Sequence, residues 1–328
     1  MTRTRIISIV VIIISLVAIV WSLGGAMFRE RGFEFAIEGT MIEGEVPDTT
    51  EWGVAELRLD TAEGCFRIRG KALRPIVVEL GSEEVTYCPT LFIERGEIAV
   101  EEGCATGTAA NDARTAMRAE VDSLAWRCPE GEYSAAFERG YDSLARAYIK
   151  ANRTNLYGGW LAEQLSRELP IEPARELFEG LSSGVKSTEA VAPLRERVAR
   201  YERSQPGRRV ENLPEEVMCE LQAKRYVLID LWASWNHDSQ VRARELAAVT
   251  DRFEGADLTI CRISMDNSRE QWLSSIEGDP TEWIQLNGEV CGLAIESLPV
   301  SYLLSPQGKI VLCTESVDEL SQALEELF

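Results

Sequence analysis

The chain has 328 residues, enough for two or three domains, and 45% of them are hydrophobic, so ordered cores rather than disorder are expected. The formal charge of -20 argues against nucleic acid, because phosphate binding needs a basic face. An acidic surface by itself mainly favours solubility.

Residues 6–23, "IISIVVIIISLVAIVWSL", carry no charge and follow the short basic stretch "MTRTR". At ~1.5 Å per residue such a run nearly crosses a hydrocarbon core of ~30 Å. Two readings stand. One is a cleaved signal peptide, with Gly24 and Ala26 as small residues before the cut. The other is an uncleaved signal anchor over residues 1–28, favoured because the run is long for a signal peptide. No Cys follows the run closely, which excludes a lipoprotein anchor. Arg29 and Arg31 flank its outer end and weaken the positive-inside signal, and export of the acidic remainder is the simpler topology.

Residues 33–104 read as β. "FEFAIEG", "AELRLD", "CFRIRG", "PIVVEL" and "LFIERGEIAV" are short alternating or apolar runs punctuated by Gly, Asp and Pro. Short strands at regular spacing suggest a small sandwich or barrel. Over residues 107–205 the period becomes helical. Tyr133, Phe137, Tyr141, Leu144 and Tyr148 recur every three to four residues and mark one core-facing helix face. "NRTNLYGG" (152–159) breaks that helix, and "SQPG" (204–207) reads as a linker.

Residues 206–328 alternate strand and helix. "RYVLIDLW" reads as a strand, followed by a helix expected to bury Val241, Leu246, Val249 and Phe253. "LTICRISM", "PVSYLL" and "KIVLC" are further strands. Ser316 and Glu319 fit a capping box that opens a last helix, with Val317, Leu320, Leu324 and Leu327 on its apolar face. The pattern is that of a mixed sheet covered on both faces, an α/β domain.

Eight cysteines are scattered along the chain with no CxxC spacing, which leaves no zinc knuckle. Cys261 and Cys313 lie in apparent strands and read as core residues. Pairings among Cys65, Cys88, Cys104 and Cys128 stay open.

"KRYVLIDLWASW" resembles the strand and lead-in of TlpA-type periplasmic thioredoxin-like proteins, the thiol-disulfide interchange family. "ISMDNSREQW" (263–272) resembles their next strand end and helix, and "SLPVSYLLSPQGKIV" (297–311) their cis-proline strand and hairpin. Upstream, "TAEGCFRIRGKALRP", "LFIERGEIAV" and "GTAANDA" resemble a β-rich domain of unknown function, its last hairpin and the start of a helical spacer that precede such domains. The resemblance covers nearly all of the chain after residue 32 and is weakest in the spacer and around "ENLPEEVMCEL". It implies a thioredoxin-like C-terminal domain, with Pro299 as the cis-proline facing the redox motif and Trp235, Leu298 and Pro299 beside a groove that holds substrate peptide in active relatives.

The resemblance also implies a Cys-x-x-Cys after Trp235. This chain has Asn236, His237, Asp238 and Ser239 there. Thiol exchange needs a thiolate to attack and a second thiol to resolve the mixed disulfide. An amide does neither, and a hydroxyl near its free pKa does both poorly, so the two-cysteine mechanism is absent at this place. Asn is instead among the best helix N-caps, and Asp238 in the first turn suits the helix dipole. His237 is the only histidine, which leaves no metal site, and three consecutive residues at a helix start do not align as a catalytic triad. The family's proline further along the helix is missing, with Arg244 near that place, so a continuous helix is expected.

Three functions are weighed. The first is a redox-inactive binding or scaffold module on the periplasmic side of a bacterial envelope, held in the inner membrane by its N-terminal segment or released after cleavage. Its partner is an envelope protein or peptide, and it needs no cofactor. The second is a thiol-disulfide oxidoreductase using a displaced cysteine, for which Cys291 is the candidate because it precedes the Pro299 strand. A lone thiol there would need a partner to resolve its mixed disulfides. The third is a structural partner of an envelope complex that binds through the β-rich domain.

Overall fold

The structure is a computed structural model, and it describes residues 32–41, 47–49, 52–82, 86–128, 134–277, 279, 282–288 and 292–328. The expected membrane anchor, Tyr133 and Cys291 lie outside the described residues. Among the described residues no helix is long and apolar enough to cross a membrane. The chain divides into two compact units, Met1–Arg195 and Glu196–Phe328.

Among the described residues of the first unit seven strands form two sheets. The strands are β1 (Phe33–Thr40), β2 (Ala55–Ala62), β3 (Cys65–Ala72), β4 (Ile76–Gly81), β5 (Thr86–Ile93), β6 (Gly96–Glu101) and β7 (Cys104–Thr106). One sheet runs β2-β3-β1-β6-β7 and the other is the pair β4-β5. Alternation puts Phe35, Ile37, Phe66, Ile68, Ile98 and Val100 on one face of the larger sheet. They share a core with Val78, Leu80, Leu91 and Ile93 of the smaller sheet, which is the small all-β domain expected. Phe35 stands opposite Gly70 and Phe66 opposite Gly39 in the β1–β3 register. A Cβ on either glycine would lie 2.7 Å or 2.5 Å from the facing ring, so each aromatic covers the bare backbone of its cross-strand glycine.

The run "LFIERGEIAV" does not form the hairpin expected of it. β5 pairs with β4, whereas β6 pairs with β1 and β7. The turn at Glu94–Arg95 and Gly96, with φ of +137°, carries the chain from one sheet to the other.

Helices α1 (Ala109–Arg127), α2 (Ala135–Ala151), α3 (Leu156–Ser166), α4 (Ile171–Gly180) and α5 (Ser183–Lys186) complete this unit. Asn111 of α1 is fully buried and pairs with the backbone of Phe92 in both directions, at 2.8 and 3.1 Å. Phe92 packs edge-on against Tyr157 and Trp160 of α3. The β strands and these helices are therefore one packed body. Helix α6 (Ala192–Arg203) contributes its residues from Glu196 onward to the second unit.

The second unit is a thioredoxin-like α/β domain. Its elements are α7 (Glu215–Gln222), β8 (Tyr226–Trp232), α8 (His237–Thr250), β9 (Leu258–Ser264), α9 (Arg269–Ser275), β10 (Ile284–Asn287), β11 (Val300–Leu304), β12 (Ile310–Thr314) and α10 (Val317–Leu327). The sheet order is β10-β9-β8-β11-β12. β8, β9 and β10 are parallel, and β11 and β12 run antiparallel to their neighbours.

The central strand β8 is buried on both faces. Val227, Ile229 and Leu231 join Val217 of α7, and Leu228 joins Leu246 of α8 and Leu320 and Leu324 of α10. Ser316 caps α10, accepting the Glu319 N–H, but the reciprocal half of the capping box is replaced: the Ser316 N–H donates to the Thr314 hydroxyl, which in turn donates to the Glu319 carboxylate. The "SQPG" stretch is not a free tether. The Gly207 N–H donates to the Ile310 carbonyl at 2.7 Å, and the buried Ser204 hydroxyl accepts from the Ala294 N–H at 2.7 Å.

Helix α8 is continuous, but its inner face differs from the expected one. Ser239, Arg242, Leu246 and Thr250 are buried, while Val241 is 45% exposed. Inward spacing of three to four residues through Arg242 turns Val241 outward by about 100°. Phe253 lies past the helix, in a short 3-10 turn, and is half-buried.

Candidate functional site

The site begins where β8 ends. Apolar pressure on both faces of the sheet drives "YVLIDLW" straight through the core, so the chain emerges at its C-terminal edge with Ala233 still buried. A short turn, 234–236, then starts α8. Crevices at such strand ends are the usual ligand sites of open α/β sheets.

Asn236 occupies the N-cap. Its Oδ1 accepts the Ser239 N–H at 2.9 Å, satisfying one of the orphan donors of the first turn. Its Nδ2 donates to the carbonyl oxygen of Leu298 at 3.2 Å. The Leu298–Pro299 peptide bond is cis, and β11 begins at the next residue. One amide side chain thus joins the helix start to the cis-proline segment. Ser239 is fully buried, and its hydroxyl accepts the Ala233 N–H at 3.4 Å. It faces the core rather than the crevice. His237 and Asp238 are exposed. Trp235 is 69% exposed, a large apolar side chain standing in solvent beside Asn236.

The turn is fastened from below by Asp266, a residue that reading the sequence did not single out as functional. Its buried carboxylate accepts from the Ser234 N–H at 3.0 and 3.1 Å, from the Ser234 hydroxyl at 2.8 Å and from the Ser264 hydroxyl at 2.6 Å. Three donors offset the desolvation of this carboxylate. Gln240 Nε2 donates to the Ser234 carbonyl at 2.7 Å. Trp235 is therefore presented on a turn held at both ends.

A second feature, also unanticipated, lies under the site. Asp230 of β8 is fully buried, with Arg262 opposite it on β9 and Ser301 opposite it on β11. Arg262 Nε donates to Asp230 Oδ2 at 3.1 Å, and Ser301 Oγ donates to Asp230 Oδ1 at 3.0 Å. Arg242 reaches in from α8. Its Nε lies 3.3 Å from Asp230 Oδ1, at ion-pair distance without hydrogen-bond alignment. Its Nη2 donates to Ser301 Oγ at 2.8 Å. Arg262 also pairs with Asp279 at 2.5 Å and stacks 4.2 Å over the Trp232 ring. Two carboxylates and two guanidiniums balance, which allows four charges to sit in the core.

Of the residues read from sequence, Asn236 meets Leu298, the residue before the cis Pro299, and Trp235 precedes Asn236 on the exposed turn. Ser239 is beneath it, His237 and Asp238 are on the solvent side of the helix start, and Cys291 lies outside the described residues. The seven described cysteines are free thiols, so none of the pairings among Cys65, Cys88, Cys104 and Cys128 is formed. Burial pushes the Cys88 and Cys313 thiols up and the Cys261 thiol up to about 12, which leaves all three protonated near neutrality. Among the described residues no group of three or more His, Cys, Asp or Glu is placed to hold a metal ion.

No family model and no curated protein matches the chain. Solved structures do. A thiol-disulfide oxidoreductase from Bacteroides fragilis is 32% identical over 32% of this chain and 82% of its own, with a TM-score of 0.29. The thioredoxin domain of a thiol-disulfide oxidoreductase from Bacteroides vulgatus is 21% identical, over 38% of this chain and 96% of its own, with a TM-score of 0.32. A thioredoxin-like protein from Bacteroides caccae is 15% identical over 66% of this chain and 84% of its own, with a TM-score of 0.42.

Proposed function

We propose that this chain is a redox-inactive thioredoxin-like binding module of the bacterial envelope, related to the TlpA type. Its crevice recognises an envelope protein or peptide without exchanging disulfides. The observation that carries this reading is the double role of Asn236. The side chain at the place of the attacking thiol caps α8 and simultaneously holds the Leu298 carbonyl. A nucleophile there would have to be a thiolate free to reach a substrate sulfur. An amide committed to two structural hydrogen bonds serves the opposite purpose, a fixed surface. Ser239, at the place of the resolving thiol, supports the same reading, because a hydroxyl cannot resolve a mixed disulfide.

A fixed surface with an exposed aromatic suits binding. Large aromatic side chains presented on rigid turns lose little conformational entropy on contact and are common anchors of interfaces. Trp235 meets that description, because Asp266 and Gln240 hold the turn on which it stands. The apolar N-terminal run is proposed to hold the chain in the inner membrane with the folded part on the periplasmic side.

The test is site-specific photo-crosslinking in cells that make the full chain. A photoreactive residue at position 235 is expected to give a discrete adduct with one envelope protein, and the same residue at position 218, exposed on α7, is expected to give none. Equal or absent adducts at both positions would remove the binding reading.

A further inference from the structure

A cavity of about 910 Å³ opens on the second unit. Its size lies within the roughly 300–1,000 Å³ of small-ligand sites. Four arginines line it: Arg200 and Arg203 from α6, and Arg208 and Arg209 from the segment that follows. Arg200 and Arg203 are three residues apart and share one helix face. The backbone of Arg208 is held to the sheet, its carbonyl accepting the Ile310 N–H at 2.8 Å, and Arg209 bridges to Lys309.

Among the described residues none of the four makes a side-chain hydrogen bond or an ion pair, whereas Arg197 on the same helix pairs with Glu296. The chain has 54 acidic residues against 34 Lys and Arg, so carboxylate partners are abundant. Glu202 and Glu211 also line the cavity, so among the described lining residues four guanidiniums stand against two carboxylates. The walls between are apolar, from Met265, Leu293 and Ile295. Gly292, at φ of +114°, closes the wall tightly, since a Cβ there would lie 2.6 Å from the Glu211 carbonyl oxygen.

We infer that this cavity binds a small molecule bearing two or more carboxylate or phosphate groups. Guanidinium forks match both groups bidentately, and the apolar walls take the body that joins them. The inference does not rest on the redox-inactive reading of the α8 start, so either can fail without the other.

The experiment is calorimetric titration of the full chain in detergent, at low salt, with inorganic tripolyphosphate as the phosphate probe and azelate as the dicarboxylate probe. Saturable binding of either probe, with Kd at or below about 100 µM and weakening as salt is raised, is the expected result, and which probe binds identifies the anionic group. Arg203→Ala and Arg208→Ala are each expected to weaken it roughly tenfold, with Arg203→Lys intermediate and Arg252→Ala, on a distant ion pair with Glu325, without effect. Both cavity arginines are exposed, so these variants are expected to keep the parent's thermal midpoint. Saturable binding of neither probe to the parent chain, or binding that survives the double substitution Arg203→Ala with Arg208→Ala, would overturn the assignment.

Discussion

The Asn236 side-chain amide donates to the Leu298 carbonyl oxygen at 3.2 Å, tying the start of α8 to the residue before the cis proline. The same amide caps the helix. Asn236→Ala removes both bonds and is expected to lower stability by about 1–2 kcal/mol. Asn236→Ser keeps a cap and loses the amide donor to Leu298, so it is expected to lose less. Urea midpoints at constant m-value measure both. An Asn236→Ala midpoint equal to the parent's would mean that the amide does not hold the crevice.

The buried charges beneath the site behave differently when broken and when replaced. Asp230→Ala leaves Arg242 and Arg262 without their shared partner and is expected to cost about 3–5 kcal/mol. Replacing the whole balanced set, Asp230, Arg242, Arg262 and Asp279, by Leu, Met, Met and Asn is expected to recover most of that loss. Chemical denaturation of the single and quadruple variants decides, and a quadruple variant as unstable as the single one would assign the loss to packing instead.

Thiol accessibility follows burial. Cys65 and Cys219 are exposed, and they are expected to alkylate with iodoacetamide within minutes at pH 8. Cys88 and Cys261, buried and with thiol pKa raised, are expected to react only after denaturation. Peptide mapping of the labelled chain reads the order directly, and rapid labelling of Cys261 in the folded chain would contradict its place in the core.

Alkaline pH is expected to destabilise the fold through Cys261. Its thiol titrates at an ordinary 9.0 when unfolded and, desolvated by burial, at about 12 when folded. Between those values the folded state keeps a proton that the unfolded state has lost. Stability therefore falls with rising pH, by up to about 1.4 kcal/mol per unit. The contribution is intact below pH 9.0 and is lost progressively up to about 12. Urea midpoints from pH 8 to 11 should fall less steeply in Cys261→Ala than in the parent, and equal slopes would assign the loss to other groups.

Much of the C-terminal domain was legible because its strands are continuous apolar runs, and the cap was legible because Asn at a helix start has few other uses. Arg242 was not. A charged residue in a helix reads as surface, and its burial depends on Asp230 and on Ser301, which is 59 residues away. That is also why Val241 was read as inward. In the first unit the strands were readable and their partners were not. Nothing local in "LFIERGEIAV" says that its two halves belong to different sheets. Asp266 read as the residue after a strand, because its role lies in the donors that Ser234 brings from another part of the chain.

The most direct test of an inert crevice is insulin reduction by the full chain with dithiothreitol as electron source. The native chain is expected to give the rate of dithiothreitol alone, while Asn236→Cys with Ser239→Cys, which restores a thiol pair at the α8 start, is expected to exceed it. A native chain that accelerates insulin reduction above the dithiothreitol rate would contradict the redox-inactive reading.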